Sequence, residues 1–343
     1  MVPQSHQSGA ERMTRDGPVT EPNAMASIVL ADVGGTNVRF AVLVGSQLCG
    51  IEHLSVADFP QFNDALDAFL SRRSDIGPVR YALFGIAGVV DGGRCTLTNS
   101  AWTVDADELR VRFGFADVHL VNDFEALAWA LPHFGSNELR KLGGGDPKVG
   151  APMLVLGPGT GLGVAAYVPR DQNGFVLHTE AGHTTLPSGS AREDAILAIL
   201  RKRYGHVSAE RALSGHGLEN LYQAIATLDS LSVPARSAAE ITKMGLTSRC
   251  VASRAAIDTF CAMLGEVAGN LALALGAQGG VFIAGGIALH LRDYLAQSQF
   301  RARFEAKGRM SSYVAPIPAF LILHGDPAFV GLQVLAARRA WIS

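Results

Sequence analysis

The stretch SIVLADVGGTNVRFAVLV, residues 27–44, begins as an apolar, β-branched run, breaks at Gly34-Gly35 and resumes as a second apolar run from Val38. A strand, a glycine turn and a returning strand is the reading this order imposes. The same order recurs in MLVLGPGTGLGVAAYV, residues 153–168, where Gly157, Gly159, Thr160 and Gly161 interrupt two apolar runs. Thr36 and Thr160 stand 124 residues apart, about one domain length. One such unit in each half predicts two related α/β domains facing each other across a cleft, a repeat of two and not a solenoid.

Length and composition agree. The 343 residues fit about two domains and allow cores that need no disulfide or metal staple. With 29 Lys and Arg against 31 Asp and Glu, the net charge of −2 gives no whole-chain attraction to nucleic acid or to an anionic membrane. At 48% hydrophobic residues, disorder of the whole chain is excluded. The 38 glycines exceed the roughly 24 expected at average usage and cluster behind apolar runs, a pattern that suits close approach of backbone to a ligand. Cys49, Cys95, Cys250 and Cys261 form no CxxC pair and read as reduced thiols of a cytoplasmic protein. Residues 1–25 are expected to be a disordered tail with Met25 a candidate start, since the first 24 are polar and lack the apolar core of a signal peptide. The uncharged run 270–289 carries five glycines, Asn270 and Gln278, which predicts a helix end, a turn and a buried strand and not a membrane span.

Helical periodicity marks 61–72, 123–134, 191–204, 215–228 and 250–276, with another helix beginning near Ala288. Strand-like runs lie at 79–86, 117–121, 175–179, 280–284 and 318–323. Strands and helices mixed in both halves give the α/β class. Gly143-Gly-Gly-Asp-Pro147 is a loop, and a tempting boundary.

In Asp32-Val-Gly-Gly-Thr-Asn37 the glycines let backbone N–H groups reach phosphate oxygens, Thr36 adds a hydroxyl, and Asp32 suits a hydrated Mg²⁺. The plain alternative is a hairpin turn whose glycines only serve positive φ. The second Gly/Thr turn weighs against it, because two such turns can grip one triphosphate from both sides. Other nucleotide motifs fail: no P-loop occurs, and Gly161-Leu-Gly163 leads into a β-like run where a dinucleotide fingerprint must open a helix. Asn122-Asp123 reads either as an ordinary helix N-cap or as a carboxylate at a strand end that takes the proton of an attacking hydroxyl. Glu180 and His183, in a glycine-containing loop, suit a polyhydroxylated ligand or a plain solvated loop. Glu210 by itself reads as a surface helix residue.

Together these segments resemble the bacterial glucokinases, ATP-dependent sugar kinases of the actin–hexokinase superfamily. The resemblance is carried by ADVGGTNVR (31–39), LTNSAW (97–102), VNDFEALAWAL (121–131), LGPGTGLGVA (156–165), TEAGHTTLP (179–187), GHVSAERALSGHGLENLY (205–222) and GGVFIAGGIA (279–288). It implies two ribonuclease H-like domains flanking a cleft, with transfer from ATP to the 6-hydroxyl of glucose. It makes Asp123 the general base and Asn99, Asn122, Glu180, His183 and Glu210 the sugar contacts. Ala31, Asp32, Val33, Gly34, Gly35 and Thr36, with Gly159, Thr160 and Gly161, would hold the phosphates, Gly285 and Gly286 the adenosine, and Asp32 would reach Mg²⁺ through water. A homodimer is implied, and no structural zinc, because the Cys-rich segment of the ROK sugar kinases is lacking. The implied small domain is 26–133 plus 324–343 and the large one 134–323. A fructokinase or mannokinase is the alternative enzyme. A non-catalytic sugar-sensing regulator is disfavoured by the intact Asp123 and the short tail, and an acid kinase by the acidic pocket.

Overall fold

The computed structural model describes residues 27–73, 77–97, 100–171 and 174–342; the expected tail and Asn99 lie outside the described residues. β1 (Ser27–Val33), β2 (Asn37–Val44) and β3 (Gln47–Ser55) form an antiparallel meander. After α1 (Phe62–Ser71), β4 (Val79–Ile86) lies parallel to β1. A small hairpin, β5 (Arg94–Thr96) with β6 (Thr103–Asp105), and α2 (Ala106–Phe113) lead to β7 (Asp117–Asn122), parallel to β4. The sheet order is β3-β2-β1-β4-β7. The chain then enters α3 (Asp123–Ala130).

A second sheet repeats the plan. Beyond β8 (Leu139–Gly143), the strands β9 (Met153–Pro158), β10 (Leu162–Val168) and β11 (Phe175–Thr179) form the meander. The helices α4 (Ala191–Tyr204), α5 (Gly215–Leu228), α6 (Ala238–Leu246) and α7 (Val251–Leu275) follow. β12 (Gly280–Ile283) is parallel to β9. Four short helices come next: α8 (Gly286–His290), α9 (Arg292–Leu295), α10 (Phe300–Glu305) and α11 (Ser311–Val314). β13 (Ala319–Ile322) is parallel to β12 and antiparallel to β8, and α12 (Pro327–Arg338) ends the chain. The order is β11-β10-β9-β12-β13-β8. Apart from the edge strand β8, both sheets share one order and one set of directions, and the two glycine-turn hairpins hold the same place in each. Gly143 ends β8 within the second sheet, so the loop after it is no boundary.

The first sheet is covered on both faces. One face packs Val29, Phe40 and Phe84 against Phe62 and Phe69 of α1 and Leu109 of α2. The other packs Ile28, Leu30 and Leu83 against Ala126 and Trp129 of α3 and Phe329 and Leu332 of α12. The last helix thus returns to the first sheet. α7 is the one helix among the described residues long and apolar enough to cross a membrane, yet most of it lies inside the second core. There Arg303 of α10 bridges Glu193 of α4 and Glu266 of α7, and Lys307 joins Glu266 at 2.7 Å. These charges, buried at Glu193 and partly buried at the others, are mutually paired, as their desolvation requires.

α12 lies so close to α3 that a Cβ added at Gly331 would stand 1.7 Å from the carbonyl oxygen of Ala126. Gly331→Ala is therefore expected to destabilise the fold by about 1–3 kcal/mol through overpacking, despite alanine's better helix propensity. Thermal unfolding checks this; an unchanged or raised Tm would contradict the close crossing.

Candidate active site

The two hairpins and the start of α3 open onto one cavity of about 630 Å³ between the sheets. Alternation along β1 sends Asp32 toward it and buries Ala31 and Val33 completely in the first core, away from the lining. Of the segment expected at the phosphates, Asp32, Gly34, Gly35 and Thr36 line the cavity. Gly159, Thr160 and Gly161 line it from the opposite sheet. None of Gly34, Gly159 and Gly161 has a positive φ, so a left-handed backbone does not explain these glycines. At Gly159 an added Cβ would meet nothing within 4 Å, so this part of the turn is open to the cavity. Gly285 and Gly286 also line the cavity. Gly285, at φ 89°, leaves no room for a Cβ against the carbonyl oxygen of Pro158, and α8 begins at Gly286, two residues before the expected start.

Asn122 satisfies the plain reading and lines the cavity as well. Its Oδ1 accepts from the N–H groups of Phe124 (2.9 Å) and Glu125 (3.2 Å), and its Nδ2 donates to the carbonyl of Gly88 (3.1 Å). This clamp fixes the first turn of α3 and so the position of Asp123, whose Oδ1 accepts from the Phe124 N–H at 3.0 Å. Burial, then the nearby Asp32 carboxylate, outweigh that bond and push the Asp123 carboxyl up to about 7, with a smaller push from Glu180. Asp32 is paired with Nη1 of Arg39, and burial raises its carboxyl against that pull.

The remaining candidates meet in the same cavity. Glu180 follows β11, and the 3-10 turn Ala181–His183 brings Nε2 of His183 to 3.7 Å from its carboxylate. Glu210 is not on a surface helix. It is half-buried in the 3-10 turn Ala209–Arg211, and its Oε2 accepts from the N–H of Leu162 at 2.9 Å, just past the second glycine turn. A Cβ at Gly161 would stand 2.4 Å from that same oxygen.

Sequence reasoning missed Arg39 and His324. Arg39 is the sole Lys or Arg lining the cavity among the described residues. Its Nε stands 3.2 Å from Asp326, which also faces His53, so the first hairpin is tied to the start of α12. The signal for Arg39 lay in the ADVGGTNVR segment itself; none marks His324, which arrives from a distant strand end.

Two duplicated sheets, paired glycine turns and a carboxylate at the cleft floor define a sugar kinase of the actin–hexokinase-like fold. The glucokinase family profile matches residues 29–339. A glucokinase of Paramagnetospirillum magneticum is 45% identical over 310 residues, covering 90% of this chain and 97% of its own. Among solved structures, a glucokinase from an Antarctic psychrotroph aligns with TM-score 0.80 at 34% identity, covering 91% of this chain and 99% of its own. A ROK family glucokinase from Streptomyces griseus, in complex with glucose and AMPPNP, reaches 0.63 at 19% identity over 91% of this chain and 100% of its own, a likeness of fold. The chain belongs to the glucokinase family, in its non-ROK bacterial branch, and is a phosphotransferase.

A base works deprotonated, so if Asp123 is the base, its carboxyl raised to about 7 predicts an acidic limb in kcat/KM for glucose near neutral pH. The rate should drop about tenfold per unit below that limb and level off above it. Asp123→Asn should remove the limb together with the rate. A wild-type profile flat from pH 5.5 to 8, an interval of about 2.5 units spanning the limb, would contradict the environment assigned to Asp123.

Proposed function

We propose that this chain transfers the γ-phosphoryl group of ATP to the 6-hydroxyl of glucose, with Asp123 as the general base. Transfer to glucose is the reaction of the family to which the chain belongs. The observation that carries the residue assignment is the meeting of both glycine turns and the Asn122-Asp123 pair in one cavity. Nucleotide phosphates would lie between Gly34, Gly35 and Thr36 on one side and Gly159, Thr160 and Gly161 on the other, with adenosine toward Gly285 and Gly286. The sugar would contact Asn122, Glu180, His183 and Glu210, whose carboxylates accept hydroxyl hydrogens. The part of Asn99 follows from the family resemblance alone.

Asp123 takes the proton of the 6-hydroxyl as its oxygen attacks phosphorus, and the leaving ADP carries away the bridging oxygen. Asp32 suits a magnesium ion held through water, because that ion keeps most of its hydration and needs few protein ligands. When bound, magnesium neutralises phosphate charge. The division into a small domain at 26–133 plus 324–343 and a large one at 134–323 follows the two sheets, and their closure around the sugar would exclude water. A cytoplasmic homodimer belongs to the same reading.

An assay of ADP release with glucose, fructose and mannose tests the activity. The expected result is the highest kcat/KM with glucose; a preference for fructose or mannose would move the substrate assignment. Asp123→Asn keeps the N-terminal helix geometry but accepts no proton, and a turnover loss of roughly 10²–10⁴-fold is expected with glucose still bound. Gly159→Val adds a side chain where the cavity is open, so it should raise the KM for ATP by about tenfold or more by blocking the phosphates. Its glucose-induced rise in Tm should persist. A folded Gly159→Val enzyme with unchanged ATP kinetics would remove the second turn from the nucleotide site.

A further inference from the structure

Gly157 and Gly163 stand directly opposite each other on β9 and β10. Neither has a positive φ, so backbone conformation does not require glycine at either position. Packing does. A Cβ at Gly163 would stand 1.9 Å from Cδ2 of Phe124, and one at Gly157 would stand 2.7 Å from its Cζ. The facing glycines leave a notch without side chains on the second sheet, and the Phe124 ring fills it. Phe124 directly follows Asp123, and its N–H is shared between Oδ1 of Asn122 and Oδ1 of Asp123. The hairpin that forms the notch carries Gly159-Thr-Gly161 at its tip.

We propose that Phe124 is a positioning residue: seated in the Gly157–Gly163 notch, its ring fixes the Asp123 carboxylate relative to the phosphate turn of the opposite sheet. The proposal rests on the reading of Asp123 as the base. Base and phosphates come from different sheets, so their separation is set by whatever contacts span the cleft floor. An aromatic ring seated against two paired backbone segments sets it more tightly than a flexible side chain. The two glycines thereby acquire a role distinct from that of Gly159 and Gly161. They make room for a protein ring, while the turn glycines make room for phosphate.

The test is a double-mutant cycle on the full chain with Gly163→Ala and Phe124→Ala, measuring kcat and equilibrium affinities for glucose and for a non-hydrolysable ATP analogue. Circular dichroism and a glucose-induced rise in Tm first establish native structure. Each single variant is expected to lose about 10²-fold in kcat, with both affinities within about threefold of wild type. The double variant should be no slower than Phe124→Ala alone, because the added methyl no longer meets a ring. A merely structural role would instead lower stability with kcat per folded enzyme preserved. Wild-type kcat in folded Gly163→Ala, or losses that multiply in the double variant, would overturn the proposal. Where Phe124→Ala does not fold, Phe124→Leu takes its place in the cycle. Asp123→Asn separates the two readings. If it retains full turnover the base assignment itself fails, whereas an inactive Asp123→Asn beside a fully active Gly163→Ala refutes the notch alone.

Discussion

One short helix, Asp123–Ala130, has to pack against both sheets at once. Ala126 and Trp129 join the core of the first sheet and α12, while Leu127 and Ala128 pack against Val155, Ala165 and Phe282 of the second. A helix buried on two sides has no polar face to spare, and small residues there permit the close approach of Gly331. Polar groups are left to its N-terminus. There Asn122 caps the helix, and Asp123 sits where the backbone N–H groups and the helix dipole favour a carboxylate. The packing of this helix therefore decides where the Asp123 carboxylate sits.

The charges of the cleft follow. Asp32, Asp123, Glu180 and Glu210 line it with a single Arg among the described residues. Burial and the neighbouring carboxylates keep the Asp123 carboxyl at about 7, where it exchanges a proton with little driving force lost either way. Four carboxylates suit a neutral sugar, whose hydroxyls donate to them, and disfavour an anionic acceptor. The same surplus of negative charge faces only one cationic side chain, Arg39, among the described residues lining the cavity. Arg39 is itself committed to Asp32 and Asp326, so the proposed magnesium is what would offset phosphate charge at this site.

Much of this was legible in the sequence. The strand–glycine–strand repeat gave the duplicated sheets, because an apolar run broken by glycines is a local signal. Asn122 and Asp123 were legible as residues but ambiguous as a site, since capping and catalysis ask for the same residue types at a strand-to-helix junction. In the structure Asn122 does cap, and the cap holds Asp123 at the cavity. Glu210 was the hardest to find. Its local pattern reads as solvent-facing helix, and only the tertiary contact with the Leu162 N–H shows that it belongs to the cleft. Arg39 was visible within its motif, but its meeting with Asp326, contributed by the start of the last helix, depends on the chain's return to the first sheet.

The glycines show where sequence reading stops. In LGPGTGLG the glycines at 157, 159, 161 and 163 are alike on paper, and only those at 159 and 161 were expected at the phosphates. The structure separates them by what a side chain would meet: a protein ring at 157 and 163, open space at 159, and a carboxylate at 161. At 157, 161 and 163 glycine is required for the absence of a side chain and not for its conformational range. What occupies the cleared space is then a property of partners distant in the chain. The Glu210 carboxylate stands both beside Gly161 and on the Leu162 N–H. A residue expected to hold sugar hydroxyls is thus fastened to the end of the turn expected to hold phosphate, so movement of that carboxylate cannot leave the turn unaffected. The places proposed for the two substrates are thus joined through the protein.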